Sequence, residues 1–138
     1  MKTEIKIGMI GTSLIARMGH LPSLKSHPNA KVIAICGRNK ERAQEVAKEF
    51  DISKVYSDYR EMIDRAEIDA VAIATPEDLH HSMTIAALNA NLHVLCEKPL
   101  AATLEQATEM YETAEGRVSF TPRFSPPEGI RGTGISRN

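Results

Sequence analysis

Ile5-Lys6-Ile7-Gly8-Met9-Ile10-Gly11-Thr12-Ser13-Leu14-Ile15-Ala16 is the stretch that decides the fold. Ile5 to Ile10 reads as an apolar strand, Gly11 ends it, and Ile15 to Ser26 reads as a helix closed by Pro28. A phosphate-binding strand-to-helix turn needs glycine at the bend, room for close backbone approach, and a small residue where helix and strand pack. Gly11 fits the first role and Ala16 the third, while Ser13 stands where a second glycine is usual. Ser13 gives up some backbone freedom but brings a hydroxyl that can donate to a phosphate. The helix start adds free N–H groups and the positive end of a dipole. Gly11, Thr12, Ser13, Leu14 and Ile15 are therefore the candidate phosphate contacts. The same residues also read as an ordinary strand–helix turn with glycine for sterics, because such motifs are weak by themselves.

Outward from this turn the pattern repeats. Lys31 to Cys36 reads as a second strand, β-branched and mostly apolar on both faces, as a buried parallel strand must be. Asn39 can cap a helix running to about Phe50, with Ala43, Val46, Ala47 and Phe50 at helical spacing. Val55-Tyr56 is a short third strand, and Asp58 with Glu61 forms a capping-box-like pair opening a helix through Met62 and Ile63. Asp69 to Ala74 is a fourth strand stopped by Thr75-Pro76, followed by a helix from Asp78 to Ala90. Leu92 to Leu95 is a fifth strand, and Thr103 with Gln106 makes a capping box opening a helix through Ala114. Strands alternating with helices predict an α/β fold of the Rossmann-like kind: one domain, a doubly wound parallel sheet, three layers α/β/α. Such sheets bind ligands at the carboxyl ends of their strands.

The chemistry-bearing residues stand at those ends. After the second strand comes Cys36-Gly37-Arg38-Asn39. An acidic residue usually holds the adenosine ribose there, whereas here Gly37 takes its place and Arg38 follows. An arginine at that point can pair with a ribose 2′-phosphate or stack on adenine, and Thr12 or Ser13 can add a hydroxyl contact. A solvated arginine beside a helix cap is the equally plain alternative. Thr75-Pro76 ends the fourth strand and Glu97-Lys98-Pro99 follows the fifth. Lys98 can be held by Glu97 or reach a substrate oxygen; a surface lysine near a turn has the same pattern. His80 and His81 are adjacent and would point about 100° apart on a helix, and His20, His27 and His93 are scattered. No metal site is expected.

Composition narrows the classes. The chain has 138 residues, 42% hydrophobic and 25% charged, which suits one globular domain and excludes a fully disordered chain. A formal net charge of −1 argues against nucleic acid as a partner. The two cysteines are sixty positions apart and form no CxxC pair, so neither a disulfide framework nor a zinc knuckle is expected. There is no signal-peptide pattern, and the longest uncharged stretch, Leu79 to Cys96, is too polar to span a membrane. A cytoplasmic location with no membrane partner is the expectation. Gly116 to Asn138 differ: they hold four of the eight glycines and three of the seven prolines. Val118-Ser119-Phe120 reads as a possible sixth strand, and 121–138 as an extended or disordered tail after a domain at 1–120.

Four segments together resemble one family: Ile7-Gly8-Met9-Ile10-Gly11, His20-Leu21-Pro22-Ser23-Leu24, Ala74-Thr75-Pro76-Glu77-Asp78-Leu79-His80, and His93-Val94-Leu95-Cys96-Glu97-Lys98-Pro99-Leu100-Ala101. They look like the cofactor domain of the glucose-fructose oxidoreductase/inositol dehydrogenase (Gfo/Idh/MocA) family, over about Lys6 to Glu115. The resemblance implies the NAD(P)-binding domain of an oxidoreductase that moves hydride to or from a sugar, cyclitol or related polyol. It implies that Lys98 lies near the nicotinamide and the reacting hydroxyl, and that Thr75, Pro76, His80 and Glu97 line the cofactor site. Gly37 and Arg38 make NADP the preferred cofactor, with NAD second. Relatives continue into a substrate domain carrying an aspartate and a histidine; this sequence has no Asp after Asp78 and no His after His93. Arg123-Phe124 resembles the start of the relatives' next strand, but Pro122 disturbs it. The expectation is a cofactor-binding chain inactive by itself, with a polyol substrate and oligomer contacts belonging to a complete enzyme. The alternative is a truncated or frame-shifted Rossmann module without enzymatic activity that binds nucleotide weakly.

Overall fold

The computed structural model describes residues 3–116. The expected sixth strand, the Arg123-Phe124 segment and the tail at 121–138 lie outside the described residues. Five strands form one parallel sheet: β1 (Ile5–Ile10), β2 (Ala30–Cys36), β3 (Lys54–Tyr56), β4 (Ala70–Ile73) and β5 (His93–Cys96). Their spatial order is β3-β2-β1-β4-β5, so the chain builds outward from β1 in one direction and then in the other. This is the doubly wound order expected from the sequence. Its reversal between β1 and β4 opens a crevice at the carboxyl edge.

The two sheet faces are covered by different helices. Met9, Leu21, Ile35, Val46 and Ala72 form one core cluster, beneath α1 (Leu21–Ser26) and α2 (Lys40–Glu49). Ile10, Ala34, Met62, Val71, Ile73 and Met83 form the other, beneath α3 (Tyr59–Arg65) and α4 (His80–Asn89). Neighbours Met9 and Ile10 are both fully buried on opposite faces, which is why β1 reads as an unbroken apolar run. A Cβ on Gly8 would stand 2.8 Å from Met62 Cε and 2.9 Å from Ile68 Cδ1, so this glycine lets α3 pack closely on β1. α5 (Leu104–Glu115) packs against α4. Among the described residues no helix is long and apolar enough to cross a membrane.

The first helix differs from its expected form. The run from Leu14 to Ser26 is helical, but Ala16–His20 is π-helical before α1 begins. Pro22 gives the reason: it has no N–H to donate, and its ring collides with the carbonyl four residues back, so a regular α ladder cannot run through it. Asn39 caps α2 by accepting from Arg42 N at 3.0 Å, as expected. The two capping boxes close only halfway. Asp58 accepts from Arg60 N at 2.9 Å while Glu61 pairs with Arg65; Thr103 accepts from Gln106 N at 3.2 Å while Gln106 Oε1 has no partner. The helix expected from Asp78 starts as a 3-10 turn, Glu77–Leu79, ahead of α4.

Candidate functional site

The turn after β1 is built by close backbone approach. Gly11 has φ +115, a region that disfavours any side chain, and a Cβ there would stand 2.5 Å from the Ala74 carbonyl oxygen. Its N–H donates to Cys36 O at 2.8 Å, joining the ends of β1 and β2. The Ser13 hydroxyl donates to Ala74 O at 2.8 Å and accepts from Ala16 N at 3.4 Å. Ser13 thus caps the first helix and ties it to the end of β4. A hydroxyl bond from Ser13 to a phosphate is the expectation; in the structure the Ser13 proton goes to Ala74 O. Leu14 and Ile15 follow in the first helical turn, both with exposed side chains. Their N–H groups precede the intrahelical ladder.

At the end of β2, Gly37 is buried and its N–H donates to Tyr56 O at 3.1 Å. Thr12 reaches across from the first turn, its Cγ2 2.9 Å from where a Gly37 Cβ would stand. Arg38 is exposed beside the Asn39 cap. The Cys36 thiol is pushed up to about 12, first by burial and then by the Asp58 carboxylate, so it is an inert core group.

Two histidines hold the loops after β4 and β5, His80 from α4 and His20 from the first helix. His80 is buried, with Nδ1 2.7 Å from Pro99 O and Nε2 2.8 Å from Thr75 O. It braces the loop after β4 against the loop after β5. The ring is expected to line the cofactor site; it is buried, with one ring nitrogen facing each of these backbone carbonyls. Glu97 N donates to Ile73 O at 2.9 Å, and His20 Nε2 donates to Glu97 Oε2 at 2.6 Å. That bond is the main reason the Glu97 carboxyl sits below its ordinary range; the Lys98 backbone N–H and the charges of His20 and Lys98 add to it against the cost of burial. Lys98 follows, joined to Pro99 by a cis peptide bond. Its side chain is exposed and makes no hydrogen bond or ion pair to a side chain among the described residues, its charge lying beside that of Glu97.

The structure therefore brings the expected residues to one edge. Gly11 to Ile15, Gly37 and Arg38, Thr75 and Pro76, and Glu97 and Lys98 stand at the carboxyl ends of β1, β2, β4 and β5, which are adjacent in the sheet. His20 was not singled out as a site residue by sequence. Its signal was its place two positions before a helix-interior proline, which forces the π-helical turn that presents it.

Comparisons with known proteins agree with this architecture. The sequence profile of the oxidoreductase family with an NAD-binding Rossmann fold (Gfo/Idh/MocA) matches residues 5–119. A 1,5-anhydro-D-fructose reductase of Ensifer adhaerens is 38% identical over 107 residues, 78% of this chain and 32% of that protein. The structure of scyllo-inositol dehydrogenase from Lactobacillus casei with bound NAD(H) and scyllo-inositol superposes with a TM-score of 0.80 at 27% identity, covering 86% of this chain and 35% of that one. KijD10, a 3-ketoreductase from Actinomadura kijaniata in complex with NADP, gives 0.78 at 35% identity, covering 83% and 36%. The chain spans about a third of the length of the curated relatives it matches. With the family profile and the fold in agreement, the chain belongs to the Gfo/Idh/MocA oxidoreductase family, as its NAD-binding Rossmann domain.

Proposed function

We propose that the carboxyl edge of the sheet binds a nicotinamide dinucleotide, NADP in preference to NAD, and that Lys98 stands beside the reacting centre of a sugar, cyclitol or related polyol in the complete enzyme. The observation that carries this reading is the Gly11 turn: its backbone lies so close to Ala74 that no side chain fits, and it opens directly into a helix N-terminus at the switch point of the sheet. That cradle suits a pyrophosphate held by the N–H groups of Thr12, Ser13, Leu14 and Ile15. Thr75, Pro76 and Glu97 line the other half of the edge. When bound, the nicotinamide supplies the hydride-accepting or hydride-donating carbon.

The chain's own residues set what else happens there. Lys98 can donate a hydrogen bond to a substrate oxygen and stabilise charge on it. Glu97, held ionised by His20, keeps a negative charge next to that lysine. A positioned acid–base group is worth about 10² to 10⁴ in rate, and Lys98 alone does not make a complete set. The 138 residues therefore bind cofactor without turning over a polyol.

The preference for NADP rests on Gly37 and Arg38. Gly37 offers no carboxylate to the ribose 2′-OH and none to repel a 2′-phosphate, and Arg38 can bond that phosphate. A charge-assisted bond is worth about 1.5–3 kcal/mol. Exposure of Arg38 puts the effect at the low end, about tenfold in affinity. Isothermal titration of NADPH and NADH at one ionic strength tests this. NADPH should bind about tenfold more tightly, added salt should narrow the gap, and Arg38→Ala should largely erase it. Equal affinities for the native chain, or an unchanged ratio in Arg38→Ala, would sink the preference.

A further inference from the structure

We infer that Thr12 is a specificity-determining residue, because its methyl group fills the space in which a ribose-binding carboxylate at the end of β2 would have to begin. In its binding part the inference rests on the cofactor reading above. The backbone does not ask for glycine at 37: among the described glycines only Gly11 has a positive φ. Space does ask for it. A Cβ on Gly37 would stand 2.9 Å from Thr12 Cγ2 and 3.4 Å from Ala43 Cβ, with Thr12 Oγ1 at 3.6 Å. Neither side yields easily. Ala43 is fully buried in α2. Thr12 is β-branched, with one stiff torsion. Its backbone is fixed on both sides, by Gly11 N to Cys36 O at 2.8 Å and by Ser13 Oγ to Ala74 O at 2.8 Å.

The first turn and the end of β2 are thus matched as a pair. An acid at 37 is the residue that would hold the 2′-OH of NAD and repel the 2′-phosphate of NADP. With Thr12 in place, that acid cannot enter without pushing on the turn that cradles the pyrophosphate. Gly37→Asp by itself should therefore damage the site for both cofactors rather than exchange one for the other. Removing the Thr12 methyl should restore the exchange.

Two measurements on the same variants test this. The first needs no cofactor. Glycine to alanine at an ordinary φ normally raises stability by restricting the unfolded chain. Here Gly37→Ala should instead lower the melting temperature by about 3 °C or more, or prevent folding, and Thr12→Ala/Gly37→Ala should melt no lower than Thr12→Ala. The second measures affinities for NADPH and NADH. Gly37→Asp should weaken both and still not favour NADH, whereas Thr12→Ala/Gly37→Asp should bind NADH about tenfold more tightly than Gly37→Asp does and prefer it. A Gly37→Ala chain that melts at or above the native temperature, or a Gly37→Asp chain that already prefers NADH, overturns the role of Thr12. A native chain that binds neither cofactor overturns the cofactor reading and the specificity role with it, while the melting pair still decides the steric match.

Discussion

The turn after β1 meets its neighbours through glycine, and the loops after β4 and β5 are braced by histidines. On the first side Gly11 lets backbone touch backbone at Ala74, and Gly37 leaves room only for the Thr12 methyl. On the second side His80 spans the carbonyls of Thr75 and Pro99, and His20 holds Glu97. One half of the edge is shaped by excluded volume and tolerates no added atom. The other is shaped by polar bonds that can be weakened one at a time. A site assembled this way has a rigid cradle and a more adjustable end at Lys98, which suits tight holding of one part of a ligand and positioning of another.

Substitutions at the two ends should therefore fail differently. Gly11→Ala should have the largest effect. It adds a side chain at φ +115 with the Ala74 oxygen 2.5 Å from the new atom, which should cost about 3 kcal/mol by urea denaturation, from strain plus overpacking. A loss below about 1 kcal/mol would show that the turn can relax. His80→Ala comes next: it removes the ring nitrogens that face the Thr75 and Pro99 carbonyls and leaves a cavity, for about 2 kcal/mol. Hydrogen exchange should show Thr75 and the Glu97–Leu100 loop loosened in that variant while the Gly11 turn stays protected. Uniform loosening of both ends would erase the distinction between them.

The smallest effect concerns Glu97. Its folded pKa lies below the ordinary value of 4.5, so the bond from His20 contributes stability above that pH and loses it as pH falls through the folded value. Glu97→Gln should remove this part of the acid sensitivity. Urea midpoints followed from about pH 7 to about pH 3 should fall less steeply for the variant than for the native chain. Identical slopes would mean that the pair adds nothing measurable, as holds for many exposed ion pairs.

The two ends also differ in how far the sequence reveals them. Gly11 and the apolar strand before it announce a strand–turn–helix locally, because glycine's steric role acts on its immediate neighbours. The parallel doubly wound sheet follows from the alternation of such units. What Gly37 avoids is less legible, since Thr12 lies 25 positions away and touches it only across two strand ends. The histidine braces are less legible still. His20 and Glu97 are separated by 77 positions and His80 and Pro99 by 19, and a histidine's partners cannot be read from its neighbours. Position at the carboxyl end of the fifth strand pointed to Glu97 and Lys98, whereas only family resemblance pointed to His80, whose ring is buried between the Pro99 and Thr75 carbonyls. The bond from the Ser13 hydroxyl to Ala74, 61 positions on, is hidden from the sequence for the same reason.

The central claim is that one cofactor spans the edge from Arg38 to Lys98. Amide chemical-shift mapping of the isotopically labelled chain during addition of NADP tests it most directly. The account predicts saturable shifts at Gly11–Ile15, at Gly37 and Arg38, at Thr75, and at Glu97 and Lys98, with little change at the amino ends of the strands such as Ile5, Ala30 and Ala70. Shifts confined to other surfaces, or to the β1–β2 end without Glu97 and Lys98, would contradict it.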